Sequence, residues 1–147
     1  MIRVQGGHHV KVPVTDLTRR RSWYESVLQL TPQLEFPDEE GTVRGVVYAA
    51  LGGLTLSLRE DAPRARALAG FNPFAVLVST GADLDEVGRH LDGIGLKHGP
   101  VVTATLGWLL TVPDPDGIIL SFCTQEQHAE QDISSPGHGS VLLPAHR

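Results

Sequence analysis

The sequence predicts an α+β fold that consists of two βαβββ units in tandem. The first observation is an internal repeat. Residues 53–58 read Gly-Leu-Thr-Leu-Ser-Leu and residues 117–122 read Gly-Ile-Ile-Leu-Ser-Phe, at an offset of 64 residues (117 − 53). The same offset carries residues 9–12 onto residues 73–76. The second observation is that each half contains one helix-like segment followed by three strand-like segments. Such self-similarity is typical of a duplicated unit.

The chain begins with a predicted strand and a predicted helix. Residues 7–14 alternate valines with mixed residues, which indicates a half-buried strand. Thr15 or Asp16 then offers an N-cap for a helix over residues 17–30. We expect Pro32 to end this helix. Its apolar stripe consists of Leu17, Tyr24, Val27 and Leu28.

The predicted helix also carries a basic run and two aromatic residues. Arg19, Arg20 and Arg21 follow one another, and we interpret them as a solvated helix face. Trp23 and Tyr24 have helical spacing relative to the apolar stripe, which favours core packing over ligand binding.

Three further strands complete the first half. Residues 33–36 and 42–51 are strand-like on either side of an acidic turn. Residues 54–59 alternate strictly, with leucines on one face and Thr55, Ser57 and Arg59 on the other. Residues 60–70 are charged and rich in alanine, which suits a linker with a short helical turn.

The second half repeats this order. Residues 74–78 predict a strand, and residues 83–94 predict a helix that Gly95 terminates. Val-Pro-Asp-Pro-Asp-Gly over residues 112–117 predicts a hairpin turn. The three strands after the helix are predicted over residues 101–105, 108–112 and 118–123.

The predicted domain boundaries follow from the repeat. We expect a first module over residues 1–62, a linker over 63–71 and a second module over 72–125. Residues 126–147 are polar and lack periodicity, which predicts a flexible C-terminal tail. Its histidines, His128, His138 and His146, are expected to be solvated.

Composition excludes several functional classes. The formal net charge of −5 argues against binding to nucleic acid or to an anionic membrane surface. No segment has the roughly 20 apolar residues of a membrane span. The first residues lack the basic-then-apolar form of a signal peptide. Because Cys123 is the only cysteine, no disulfide can form within the chain, and we expect a cytoplasmic protein.

Three motifs carry a family resemblance. They are His-Val-Lys-Val-Pro-Val-Thr-Asp-Leu over residues 9–17, Trp23-Tyr24 followed by Val-Leu-Gln-Leu over residues 27–30, and Asp-Pro-Asp-Gly over residues 114–117. In this order they resemble the vicinal oxygen chelate superfamily of glyoxalases, bleomycin-resistance proteins and extradiol dioxygenases. The resemblance covers roughly residues 6–124. It implies two paired βαβββ modules whose sheets curl around a cleft, and a homodimer.

The same resemblance implies positions for metal ligands. They correspond to His9, Ser57, Pro73 and Ser121, and the strand alternation places all four on the face opposite the helices. Proline has no side-chain donor and neutral serine is a poor ligand, whereas a divalent ion needs three or four strong ligands. Only His9 fits, and adding Cys123 gives two ligands at best. We therefore expect no metal and no other cofactor.

Two functional classes remain open. The first is a metal-free protein that binds a small organic molecule, such as an aromatic one, in a drug-sequestration or antibiotic-resistance role. The second is a glyoxalase-like or dioxygenase-like lyase or isomerase that uses His9 with a partial or non-standard metal site. Trp108 fits a ligand-binding wall and a packing role equally well, and His8 is expected on the opposite face from His9. The predicted ligand-binding residues are His9, Lys11, Thr55, Ser57, Arg59, Trp108, Ser121 and Cys123.

Overall fold

The computed structural model describes residues 1–126 of the chain. The predicted C-terminal tail, with its three histidines, lies outside the described residues except for Glu126. The elements are, in chain order, β1 (His9–Val14), α1 (Leu17–Leu28), β2 (Leu34–Pro37), β3 (Val43–Leu51), β4 (Leu54–Glu60), α2 (Ala62–Ala67), β5 (Phe74–Leu77), α3 (Gly81–Gly93), β6 (Val102–Thr103), β7 (Trp108–Pro113) and β8 (Ile119–Cys123). The predicted α+β class and the two βαβββ units are confirmed, with α2 as the helical turn in the linker.

Two four-stranded sheets repeat one topology. The first has the strand order β1-β4-β3-β2 and the second the order β5-β8-β7-β6. In the first sheet β1 is parallel to β4, and β4, β3 and β2 are antiparallel neighbours. Neither sheet closes into a barrel. The first and last strands of each module therefore lie side by side, which brings the predicted site positions on β1 and β4 together.

The chain divides into two compact units. The first consists of Met1–Phe74 and Pro113–Leu120. The second consists of Ala75–Val112 and the described residues from Ser121 onward. The Asp-Pro-Asp-Gly turn thus belongs to the first unit, and the module boundaries drawn from the repeat stay a prediction.

The core of the first unit lies between one face of its sheet and α1. Leu56 and Leu58 on β4 are fully buried, whereas Ser57 between them is half-buried and Arg59 is exposed. This pattern confirms the predicted alternation of β4. The cluster of buried residues consists of Val12, Val14, Leu17, Tyr24, Leu30, Val46, Tyr48, Leu56, Leu58, Ala65 and Ile118.

Helix α1 ends earlier than Pro32 predicts. Asp16 caps its start, where the side chain accepts a hydrogen bond from the backbone N–H of Arg19. At the other end Gln29 adopts a left-handed conformation with φ +53°, and its N–H bonds to the carbonyl of Glu25. The helix therefore stops at Leu28 through a left-handed cap rather than through the proline.

The Asp-Pro-Asp-Gly turn is fastened to α1 by its two carboxylates. Asp114 accepts hydrogen bonds from the Tyr24 hydroxyl and from the backbone N–H groups of Asp116 and Ile118. Asp116 accepts hydrogen bonds from the backbone and the hydroxyl of Thr15. The turn motif that first indicated only a hairpin therefore holds the start and the middle of the helix.

The interpretation of the basic run as a solvated face is wrong for two of its three arginines. The Nε of Arg20 lies 2.9 Å from a carboxylate oxygen of Asp116. Arg21 forms ion pairs with Glu25 and Glu35. The Arg19 side chain is 79% exposed and behaves as predicted. Asp116 and Glu35 lie outside α1, so helical periodicity does not reveal them as partners, whereas Glu25 lies one turn further along the same helix.

In the second unit, α3 starts with a capping box. Thr80 accepts a hydrogen bond from the backbone N–H of Asp83, and the Asp83 carboxylate accepts one from the backbone N–H of Thr80. The helix consequently begins at Gly81, two residues before the predicted start. None of the helices in the described part of the chain is long and apolar enough to cross a membrane.

Candidate functional site

Five of the predicted ligand-binding residues line one cavity on the first sheet. His9 and Lys11 lie on β1, and Thr55, Ser57 and Arg59 lie on β4. The parallel register places His9 beside Thr55 and Lys11 beside Ser57. Because alternate residues of a strand share a face, these side chains project together from the side opposite the leucine core. The cavity has a volume of about 340 Å³.

The outer strands of the sheet supply an apolar wall. Leu34 and Phe36 on β2, with Val47 on β3, complete the lining together with Gly45 and His8. Leu34 pairs with Val47, and Val47 pairs with Ser57, so one row of the sheet runs from the apolar wall to the polar strands. The result is a site with an apolar side and a polar side.

The side-chain position of His8 differs from the prediction. It lines the same cavity as His9, and its Nδ1 lies 2.9 Å from the Nδ1 of His9. Strand β1 begins only at His9, so strand alternation does not govern His8. The two imidazoles form an edge-to-face pair with ring centroids 5.1 Å apart.

The polar side of the cavity is positively charged. Among the described residues, neither Lys11 nor Arg59 has an ion pair or a side-chain hydrogen bond. No Asp or Glu of the described chain lines this cavity. By contrast, Arg44 on the neighbouring strand β3 pairs with both Asp38 and Glu60. The two cavity cations therefore stand apart from the ion-paired arginines of the same unit.

Gly45 gives Arg59 the room to lie across the sheet. The two residues are register partners on β3 and β4, and Phe36 is the partner of Gly45 on its other side. A Cβ atom at Gly45 would lie 3.1 Å from Nη1 of Arg59 and 3.5 Å from a ring carbon of Phe36. The absence of a side chain at this position thus lets the guanidinium reach over β3 toward the apolar wall.

A second cavity, of about 420 Å³, adjoins the first. It shares Lys11 and Arg59 with the first cavity and is otherwise lined by Pro13, Asp61, Arg64, Ala67 and Leu68. Its one carboxylate, Asp61, lies 2.6 Å from a guanidinium nitrogen of Arg64. The hydrogen bond from Arg64 lowers the pKa of Asp61. Lys11 and Arg59 therefore lie on the border between two concave surfaces.

The remaining three predicted ligand-binding residues belong to the second unit. Ser121 is only 1% exposed, which places it in the interior. Cys123 is half-buried, and this burial raises the pKa of its thiol. Trp108 is also half-buried, and its backbone N–H donates to the Thr124 hydroxyl. Roles of these three residues in ligand binding stay predictions.

The residues present do not fit the divalent metal that the family resemblance implies. In the described part of the chain, no three His, Cys, Asp or Glu side chains are grouped so that they could hold a metal ion. His8 and His9 supply two imidazoles, but the next side chains on this face are hydroxyls and the cationic Lys11. A nearby ammonium opposes a divalent cation, and a neutral hydroxyl is a weak ligand.

Sequence reasoning missed the residues of the apolar wall. Strands β2 and β3 were predicted, yet their register was not, and β2 also contains a shift between Phe36 and Pro37. The alternation of Gly45 and Val47 within β3 is the signal that identifies one common face. Without the register, nothing in the sequence aligns that face with Ser57 and Arg59.

Residues 6–122 match the family model described as the Glyoxalase/Bleomycin resistance protein/Dioxygenase superfamily. The chain belongs to this superfamily. The match covers most of the sequence and both βαβββ units, and it confirms the resemblance to the vicinal oxygen chelate superfamily. A search of curated proteins finds no match for this superfamily member.

Solved structures with the same fold include proteins of different function. A glyoxylase/bleomycin resistance protein/dioxygenase domain from Frankia sp. EAN1pec is 23% identical, with a TM-score of 0.65 over 84% of this chain and 100% of that one. The antibiotic-binding protein TnmS3 from Streptomyces sp. CB03234 is 18% identical, with a TM-score of 0.65 over 86% and 100%. The fosfomycin resistance protein FosX from Listeria monocytogenes, complexed with Mn(II), is 15% identical, with a TM-score of 0.65 over 82% and 93%.

Proposed function

We propose that this superfamily member binds a small organic molecule on the open face of its first sheet, without a metal ion, in a drug-sequestration or resistance role. The observation that carries the proposal is the first-sheet cavity, where His9, Lys11, Thr55, Ser57 and Arg59 face an apolar wall. Ligand sites are typically concave and largely apolar, with a few polar groups that fix orientation.

The dimensions of the cavity agree with this role. Its volume of about 340 Å³ lies within the range of roughly 300–1,000 Å³ that is usual for small-molecule sites. Phe36 offers an aromatic surface for stacking against a planar ligand. TnmS3, which shares the fold, is an antibiotic-binding protein, and this supports the resistance-type role.

The donor chemistry supports binding without a metal ion. Two adjacent imidazoles are too few for a stable divalent site, and Ser57 and Thr55 carry no charge. We also propose that the protein is a cytoplasmic homodimer, because members of the superfamily are often dimers and the chain contains a single cysteine. Light scattering of the purified full chain tests the dimer.

The second candidate function is a lyase or isomerase that uses His9 for acid–base chemistry. The contact of 2.9 Å between the Nδ1 atoms of His8 and His9 favours it, because one imidazole can hold a proton for the other. No carboxylate among the described residues forms a hydrogen bond to His9 that would orient its ring. This arrangement therefore supports proton transfer less strongly than the cavity supports binding.

Elemental analysis and ligand binding on the same preparation distinguish the two functions. We expect purified full-length protein to contain less than a stoichiometric amount of divalent metal, and a panel of aromatic compounds to bind equally well with and without a chelator. A stoichiometric metal, or binding that a chelator abolishes, would overturn the proposal. Turnover of a ligand that His9→Gln removes while binding persists would establish the enzyme instead.

A further inference from the structure

The further inference concerns the charge of the ligand, and it rests on the proposed binding function. In the described part of the chain, Lys11 and Arg59 lack counterions, whereas Arg20, Arg21 and Arg44 of the same unit have them. Arg66 also lacks one in this part of the chain, but it lines neither cavity. Two neighbouring cations on one face of a sheet repel each other. No ion pair within the described residues offsets this repulsion.

The geometry of the two side chains favours an oxyanion between them. Arg59 pairs in register with Pro13, which is two residues from Lys11, so the two cations lie on one face of adjacent strands. Guanidinium presents a planar fork that matches the two oxygens of a carboxylate. The ammonium of Lys11 adds a second positive charge, and the hydroxyls of Ser57 and Thr55 are further donors on the same face.

The position of the cations between the cavities indicates how a ligand would lie. Lys11 and Arg59 line both cavities, whereas Leu34, Phe36 and Val47 line only the first-sheet cavity. In the second cavity Asp61 already neutralises Arg64. The second cavity offers Pro13, Ala67 and Leu68 but no aromatic ring, whereas the first-sheet cavity offers Phe36. An anionic group at the border therefore favours an aromatic body against the apolar wall.

We propose that the ligand is an organic oxyanion, such as a carboxylate, carried on an apolar or aromatic body. Its charged end binds Lys11 and Arg59, and its body packs on Leu34, Phe36 and Val47. Gly45 is a positioning residue, because a Cβ there would lie 3.1 Å from Nη1 of Arg59 and would shift the guanidinium.

A matched series of ligands tests the charge directly. Full-length protein is titrated by calorimetry with 2-naphthoate, 2-naphthamide and 2-naphthylmethylamine, which share one aromatic body and differ in charge. We expect 2-naphthoate to bind at least about tenfold more tightly than the amide, and the amine to bind most weakly. The affinity of 2-naphthoate falls as salt is added, because salt screens the two exposed cations.

Variants of the cations test the site. Lys11→Met and Arg59→Met are each expected to weaken 2-naphthoate about tenfold while leaving the amide nearly unchanged. Both variants also keep or raise the melting temperature, because each removes repulsion between like charges. Gly45→Ala is expected to weaken 2-naphthoate less than Arg59→Met does, because the added Cβ only shifts the guanidinium. The matched controls Lys97→Met and Arg66→Met are exposed, lie outside both cavities and leave binding unchanged.

Each result has a distinct meaning. If the amide or the amine binds as tightly as the carboxylate, the anion preference is overturned and the binding function stands. Undiminished 2-naphthoate affinity in both cation variants likewise overturns the preference. If none of the three compounds binds, the proposed site for aromatic ligands is itself overturned.

Discussion

Substitution of Asp114 gives a sharp prediction for the turn that holds α1. The carboxylate accepts three hydrogen bonds, from the Tyr24 hydroxyl and from the N–H groups of Asp116 and Ile118. Asp114→Ala leaves the hydroxyl of Tyr24 and the N–H of Ile118 without an acceptor, and both residues are only 1% exposed. Each unsatisfied buried donor costs about 1–3 kcal/mol. The alanine also removes a desolvated carboxylate, which offsets part of this cost. We therefore expect a net loss of about 3 kcal/mol in the free energy of unfolding.

Asp114→Asn separates the hydrogen bonds from the charge. The amide oxygen can still accept from both backbone N–H groups, and the amide nitrogen can donate to the Tyr24 oxygen. Burial raises the pKa of Asp114, so folding favours its neutral form. The Tyr24 hydroxyl still loses its acceptor, so we expect the asparagine variant to lose about 1–2 kcal/mol in the free energy of unfolding at pH 7, less than the alanine variant loses.

The pH dependence follows from the sign of that shift. A carboxyl group whose pKa is raised in the folded state contributes stability that is present below its unfolded pKa, about 3.9, and lost as the pH rises through the folded pKa. Asp116 behaves in the opposite way. Burial alone would raise its pKa, but hydrogen bonds from Thr15 and Arg20 outweigh burial and lower it. The contribution of Asp116 is thus lost as the pH falls through its folded pKa.

Denaturation by guanidinium chloride between pH 4 and pH 8 measures these effects. The parent is expected to lose stability on rising pH in the range where Asp114 ionises, and Asp114→Asn is expected to lack that loss. If Asp114→Ala lowered the free energy of unfolding by less than about 1 kcal/mol, the three hydrogen bonds to Asp114 would not hold the turn as described. Equal costs for the alanine and asparagine variants would refute the assignment of the effect to hydrogen bonds.

Three further predictions concern other contacts. Gly107→Ala is expected to lower the free energy of unfolding by at least about 2 kcal/mol, because φ is +68° and a Cβ would lie 2.3 Å from the carbonyl oxygen of Thr124. An unchanged free energy of unfolding in chemical denaturation would contradict this packing. Arg20→Gln is expected to lower the free energy of unfolding by about 1–2 kcal/mol, because Arg20 loses its carboxylate partner. Arg19→Gln, at a side chain that is 79% exposed, is expected to change it by no more than about 0.5 kcal/mol. Equal losses for the two variants would restore the solvated-face interpretation. Because burial raises the pKa of Cys123, its alkylation by iodoacetamide at pH 7 should be slower than that of free cysteine and should accelerate as the pH rises; a rate equal to that of free cysteine would contradict the burial.

The sequence was sufficient for the order of the elements and for one face of the first sheet. The repeat at an offset of 64 residues between Ser57 and Ser121 predicted two equivalent sheets, which share one strand order. Strict alternation along β4 correctly separated Thr55, Ser57 and Arg59 from the leucine core. The alternation along β4 is local, and strand periodicity alone determines it.

The features that the sequence did not reveal depend on contacts between distant segments. Arg20 and Asp116 are 96 positions apart, so the paired role of the arginine appears only after the turn has packed on α1. The cavity wall at Phe36 and Gly45 depends on the register of β2 and β3. His8 precedes the strand, and its backbone is therefore not subject to the alternation that places His9.

Backbone amide chemical shifts of the full chain, depleted of metal and titrated with 2-naphthoate, test the central claim most directly. We expect saturable shifts at Gly45, Ser57 and Arg59, with no change in affinity when a divalent ion is added. Shifts that appear only after a divalent ion is supplied, or that leave the first-sheet residues untouched, would contradict a metal-independent site for an organic anion on this sheet.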